Sequence, residues 1–145
     1  MKKITALYKT ALVLYGLLML WLLFGQRFPM DDVAELQLVP FRTLKLFWRV
    51  LAGSTDSSMR RHAWVNLLGN VAMFVPLGFL IPQIWQWWRK FWRHMLLMVA
   101  IIVMVELSQY VLRLGTCDVD DLLLNLVGTT VGFAMWKRWQ RIADK

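Results

Sequence analysis

The sequence predicts an all-α integral membrane protein, a bundle of four transmembrane helices with an extra amphipathic or re-entrant helix between the first and second. Three observations predict this class. Hydrophobic residues make up 59% of the 145 residues, whereas soluble chains average roughly 45–50%. Four separate runs are apolar over about 20 residues, which is the length of a spanning helix. The formal net charge is +8, and the basic residues are grouped between these runs.

The four apolar runs fit one membrane domain that extends over residues 1–145. They are predicted as spans at residues 7–25, 63–82, 94–112 and 122–139. The first run follows two lysines, as a secretory signal would. Because large side chains fill the place of a small-residue cleavage site, we predict an uncleaved anchor.

The distribution of Lys and Arg predicts the orientation in the cell membrane. With the N-terminus in the cytoplasm, the inner connections carry more basic residues than the outer ones, although they are shorter. We therefore expect a multi-pass protein whose two termini are cytoplasmic. The inner connection at 85–93 alternates Trp with Arg and Lys, which is typical of a membrane interface. No nucleic-acid partner is predicted.

The outer connection contains an amphipathic segment at residues 40–52. Its basic residues fall on one helical side, and its apolar residues fall on another: Arg42, Lys45 and Arg49 against Phe41, Leu44, Trp48 and Leu51. This pattern predicts a helix that lies in the membrane interface or re-enters the membrane.

Polar residues inside spanning helices are costly and point to function. Each of the last three runs contains such residues, three or four positions apart and hence on one helical face. They are Asn66 and Asn70, then Glu106, Gln109 and Arg113, and then Asp118, Asp121 and Asn125. In the predicted topology all three groups lie near the outer boundary, where they could form one outward-facing polar pocket. The alternative is structural: hydrogen bonds between helices, with Asp118 and Asp121 as helix caps.

The chemistry of these residues predicts no cofactor and no metal site. In the predicted topology, His62 and His94 fall at opposite faces of the membrane, so they cannot share a metal ion. Asp118, Asp120 and Asp121 with Glu106 could hold a hard cation through oxygen atoms, but such clusters also occur in ordinary turns. The single cysteine, Cys117, excludes an intrachain disulfide.

Several motifs occur in an order that resembles the VanZ-like family. They are the stretch at 38–43, N-x-x-x-N from Asn66, P-x-G from Pro76, E-x-x-Q from Glu106 and D-D-x-x-x-N from Asp120, with a glycine at 132. The resemblance extends over residues 38–132. The family often has a Gly-Arg pair after E-x-x-Q, whereas here Arg113 precedes Leu114 and Gly115. The resemblance implies a membrane protein linked, in the founding member, to resistance against a lipid-tailed glycopeptide antibiotic of the teicoplanin type. The resemblance does not indicate a particular chemical reaction.

The residues leave three functional hypotheses open. In the first, the outer pocket binds an anionic membrane lipid or a lipid-linked cell-wall precursor. Arg42 or Arg113 would contact the phosphate, because arginine binds phosphate with two parallel hydrogen bonds. The other pocket residues would complete the site: Asn66, Asn70, Glu106, Gln109, Asp121 and Asn125.

The second hypothesis is a membrane transferase or hydrolase acting on the same lipids. Glu106 would be the general base, with Asp118 or Asp121 as the acid or as a metal ligand. The third is a scaffold or homo-oligomer in which Gly128 and Gly132, four residues apart, form the contact surface.

Overall fold

The computed structural model describes residues 2–25, 36–53, 56–115 and 117–143. The described chain is helical apart from two short strands. Its elements are α1 (Lys2–Leu20), continued by a π-helical turn (Trp21–Gly25), β1 (Leu36–Gln37), α2 (Arg42–Gly53), α3 (Ser57–Ile84), a 3-10 turn (Gln86–Arg89), α4 (Phe91–Val111), β2 (Cys117–Asp118) and α5 (Val119–Ala143). The two strands pair in parallel and were not predicted.

Three helical segments among the described residues are long and apolar enough to cross a membrane. They are Thr5–Gly25, Ser57–Ile84 and Phe91–Val111, and they contain or closely match the first three predicted runs. The fourth run lies in α5, whose first turn is acidic and whose last turn is basic. By composition α5 is not among the candidate spans, so a fourth span stays a prediction. The predicted amphipathic segment forms a helix, α2; re-entry into the membrane is a prediction too.

Successive long helices alternate in direction. Near the end of α4, Gln109 donates a hydrogen bond from its side-chain Nε2 to the carbonyl of Leu23, near the end of the α1 segment, at 3.0 Å. Asn70 and Asp121, early in α3 and α5, are bonded to each other. We call this end of the bundle the polar end. The start of α1 at Lys2 and the end of α5 at Ala143 therefore both lie at the opposite end of the bundle.

The opposite end carries the aromatic and basic side chains of the 85–93 connection. The Arg93 guanidinium stacks over the ring of Trp87 at 3.8 Å. Phe133 contacts Trp136, with 5.0 Å between ring centroids. This arrangement agrees with the predicted interfacial belt.

Helices α3 and α5 run parallel and approach each other backbone to backbone. A Cβ added to Gly128 would overlap the carbonyl oxygen of Val71, and one added to Gly132 would overlap that of Val75. Such close approach through small residues is typical of membrane helices. Both glycines are buried within the chain, so a second copy could reach them only by separating α3 from α5. Homo-oligomerisation itself stays a prediction, but this surface is occupied by α3.

This packing predicts opposite effects for two glycine-to-alanine substitutions. Gly128→Ala should destabilise the fold by roughly 1–3 kcal/mol or more, because the new methyl group meets backbone that cannot move aside. Gly69→Ala is the matched control: nothing lies within 4 Å of its added Cβ, and replacing a glycine inside a helix by alanine stabilises by about 0.5–1 kcal/mol. Unfolding in detergent micelles measures both. Equal effects would contradict the close α3–α5 contact.

Candidate functional site

A buried carboxylate at the polar end holds α2 in place. Asp120 is fully buried at the start of α5. Its Oδ1 accepts the amide of Phe41 at 2.6 Å, and its Oδ2 accepts the amides of Thr43 at 2.8 Å and Leu44 at 3.1 Å. The first amides of a helix lack partners within the helix, and a negative charge is favourable there. Asp120 therefore caps α2 from another helix.

Asp118 connects the same two helices. Its Oδ1 accepts the backbone amide of Asp120 at 2.8 Å, which is the bond expected of an N-cap residue for α5. Its Oδ2 accepts the hydroxyl of Thr43. The capping alternative for Asp118 is thus what the geometry shows. A catalytic role for Asp118 stays a prediction.

Asp121, Asn70 and Asn66 form a chain of hydrogen bonds between α5 and α3. The Asn70 amide nitrogen donates to Asp121 Oδ1 at 2.5 Å and to Asn66 Oδ1 at 3.1 Å. Asn66 and Asn70 line an open groove of about 480 Å³, whose other lining residues come from α1, α2 and α3: Leu22, Phe47, Val65, Gly69 and Met73. Two of the predicted groups therefore meet.

Glu106 lies in a different cleft. It is 7% exposed and lines a cavity of about 240 Å³ together with Asp118, Cys117 and apolar residues of α4, α5 and the β1 region. Burial, and after it the negative charges of Glu106 and Asp118, raise the pKa of Cys117. The thiol is therefore less ionised at neutral pH than an exposed cysteine would be, so a nucleophilic role is disfavoured.

Gln109 and Arg113 serve the ends of helices. Gln109 binds the carbonyl of Leu23 in the π-helical turn, where backbone bonding is irregular. Arg113 has a left-handed φ of 56° and closes α4: its amide bonds to the carbonyl of Tyr110 at 3.1 Å, and the amide of Leu114 bonds to that of Gln109 at 2.8 Å. These two bonds form a Schellman motif.

Of the two remaining predicted residues, Arg42 lies on the surface and Asn125 is buried. Arg42 is exposed, and its Nη1 donates to Gln37 Oε1 at 2.8 Å. Asn125 is buried, and its Oδ1 has no hydrogen-bond partner within the described part of the chain. The predicted residues thus lie towards one end of the bundle: Asn66 and Asn70 line the groove, and Glu106 and Asp118 line the separate cavity. No group of three metal-binding side chains occurs among residues 2–25, 36–53, 56–115 and 117–143.

A comparison with protein-family models identifies the family. A model described as VanZ/LLP1 matches residues 12–140. The chain belongs to the VanZ/LLP1 family. The resemblance predicted from the motifs is therefore confirmed. No curated protein and no solved structure matches the chain at a significant level.

The structure assigns a contact to several of the motifs in this VanZ/LLP1 chain. The second Asn of N-x-x-x-N binds Asp121, the Gln of E-x-x-Q binds α1, and the first Asp of D-D-x-x-x-N binds α2. Sequence reasoning missed that last role and also missed Thr43. The 38–43 stretch and Asp120 both belong to the family motifs, which marked them as important. They are far apart in the chain, however, and no spacing rule indicates that they are in contact.

Capping by Asp120 predicts a local loss of protection in Asp120→Asn. The new amide nitrogen cannot accept the backbone donors of α2, and hydrogen bonds to a charged group are worth about 1.5–3 kcal/mol. Amide hydrogen exchange at Thr43 and Leu44 should accelerate by roughly tenfold or more. Asp121→Asn is the matched control, since it makes the same change one residue further on, in a side chain that accepts a hydrogen bond from Asn70 of α3. Unchanged exchange in Asp120→Asn would contradict the cap.

Proposed function

We propose that this VanZ/LLP1 chain is a four-span protein of the cell membrane, with cytoplasmic termini, that binds an anionic lipid or lipid-linked cell-envelope group at its polar end. The observation that carries the proposal is the placement of α2. Three basic residues of this helix, Arg42, Lys45 and Arg49, are exposed, and spacings of three and four put them on one helical side. Asp120 fixes the start of that helix.

The distribution of charge supports an anionic ligand. Asp118, Asp120 and Asp121 all accept hydrogen bonds from within the protein, so these carboxylates are engaged in internal contacts. Arg42 instead contacts a neutral amide, that of Gln37. A phosphate can replace this partner with stronger, charge-assisted bonds. In the groove lined by Asn66 and Asn70, the amide of Asn66 would supply a neutral donor to the rest of a headgroup, and Asn70 would hold Asn66 in place.

This binding would account for resistance of the teicoplanin type. A glycopeptide with a lipid tail anchors in the membrane near lipid-linked cell-wall precursors. A protein that occupies or presents such lipids at the outer face changes how the antibiotic reaches its target.

The test removes one basic side chain. In Arg42→Ala, the anionic lipid retained in nanodiscs of phosphatidylglycerol and phosphatidylcholine should fall by roughly fivefold, because each basic residue near the surface contributes about 1 kcal/mol. Asn70→Ala should weaken retention further. Arg141→Ala, at the opposite end of α5, makes the same change in net charge and is the control. Native mass spectrometry measures the bound lipid. Unchanged lipid retention and teicoplanin resistance in Arg42→Ala and Asn70→Ala would contradict the proposal.

A second candidate is a lipid-modifying enzyme, which the position of Glu106 favours. A buried carboxylate in a cleft beside Asp118 has the surroundings of a general base. Glu106→Gln keeps the shape and removes the base, so it should abolish turnover of a lipid-linked precursor and any resistance that depends on turnover. Met104→Gln, exposed on the same helix, controls for an added amide. Wild-type resistance in Glu106→Gln at matched expression would exclude this role.

A further inference from the structure

Phe41 has an unfavourable backbone conformation, and the hydrogen bonds that its backbone makes do not require a phenylalanine side chain. Its φ is 64°, in the left-handed region that bulky residues rarely adopt. In this conformation its amide donates to Asp120 and its carbonyl accepts the amide of Lys45 at 3.0 Å. Glycine would make both backbone bonds without strain. A strained residue of this kind suggests that its side chain has a use.

The ring of Phe41 forms part of the wall of an apolar groove between α2 and α5. The groove has a volume of about 520 Å³. It is lined by Phe41, which directly precedes α2, by Leu44 of α2, and by residues of α5: Leu123, Leu124, Leu126, Val127, Thr130 and Val131. It is open on one side, where Phe41 is 54% and Val127 is 52% exposed. From Leu123 to Val131 it follows α5 for about 12 Å at 1.5 Å per residue.

We propose that this groove holds one acyl chain of an anionic phospholipid whose phosphate lies against Arg42, and that Phe41 keeps its strained conformation because its ring forms the groove wall. The proposal rests on the proposed function for the headgroup position. Arg42 directly follows Phe41, so the Cα atoms of the two residues are about 3.8 Å apart, and the proposal places the phosphate at this end of the groove.

Two further features favour this occupant. The first amides of α2 are already bonded to Asp120, so the phosphate partner is the basic side rather than the helix N-terminus. The groove length approximates half of a hydrocarbon core of about 30 Å, which matches a chain confined to one leaflet. A polyprenyl chain is much longer than the groove.

The experiment places a photo-crosslinking amino acid at Val127 in the full chain, with Met135 as the control site. Met135 is on the same helix and 52% exposed, but it lies outside the groove. In nanodiscs of equal parts phosphatidylglycerol and phosphatidylcholine, Val127 should capture phosphatidylglycerol at least fivefold over phosphatidylcholine. Met135 should capture both lipids in proportion to their abundance. Equal ratios at the two sites, crosslinks to a second copy, or preferential capture of added polyprenyl phosphate would each overturn the assignment.

Two variants at Phe41 separate its ring from its backbone. Phe41→Gly removes the ring and the strain, so the capture ratio at Val127 should fall to that at Met135 while the melting temperature stays equal or rises. Phe41→Ala removes the ring and keeps the strain, so capture should fall and the melting temperature should drop. An unchanged capture ratio in both variants would overturn the role of the ring.

Arg42→Ala distinguishes failure of the groove from failure of the proposed function. If both are right, this variant loses the preference for phosphatidylglycerol at Val127 but still captures acyl chains there. If the preference persists in Arg42→Ala and is lost in Phe41→Gly, the headgroup site at Arg42 is wrong and the groove stands. If Arg42→Ala loses the preference and Phe41→Gly keeps it, the role of the Phe41 ring is wrong and the headgroup site stands.

Discussion

The polar end depends on the Asp120 carboxylate. A buried charge is tolerated only when it is hydrogen-bonded, and Asp120 obtains its donors from the first amides of α2. The amides at the start of α2 supply the hydrogen bonds that stabilise the buried carboxylate, and the carboxylate supplies acceptors for amides that have none within the helix. Because Asp118 orients the backbone at Asp120, α2 cannot move without disturbing the first turn of α5.

The close contact of α3 with α5 carries this constraint into the bundle. With no side chain at Gly128 or Gly132, the two backbones touch, and the position of α5 along α3 is fixed by backbone shape rather than by adaptable side chains. The bond of Asn70 to Asp121 follows from that fixed position. Gln109 then ties α4 to the end of the α1 segment. Each long helix is thereby connected to the polar end by a specific contact.

Features that depend on local sequence patterns, such as the positions of the helices, could be predicted from the sequence. Contacts between residues far apart in the chain could not. Apolar run length located α1, α3 and α4, and the periodicity of 40–52 located α2, because these signals lie within one element. The spacing of Gly128 and Gly132 indicated close approach but could not name α3 as the partner. Asp120 caps a helix that begins 78 positions earlier in the chain, and no spacing rule reaches that far. The left-handed φ at Phe41 also has no local signal, because glycine and asparagine are the residues expected there.

The structure separates the charges of the predicted site into buried and exposed groups. In the sequence, the acids Glu106, Asp118, Asp120 and Asp121 leave acid–base chemistry open, while the arginines leave an anionic ligand open. In the structure, three of these carboxylates are occupied by a hydroxyl, backbone amides and an asparagine. Among the described residues, Arg42, Lys45 and Arg49 of α2 are exposed. The three carboxylates make internal contacts that position α2, while the basic side of that helix stays exposed. This division is the reason for proposing an anion rather than a cation as the ligand.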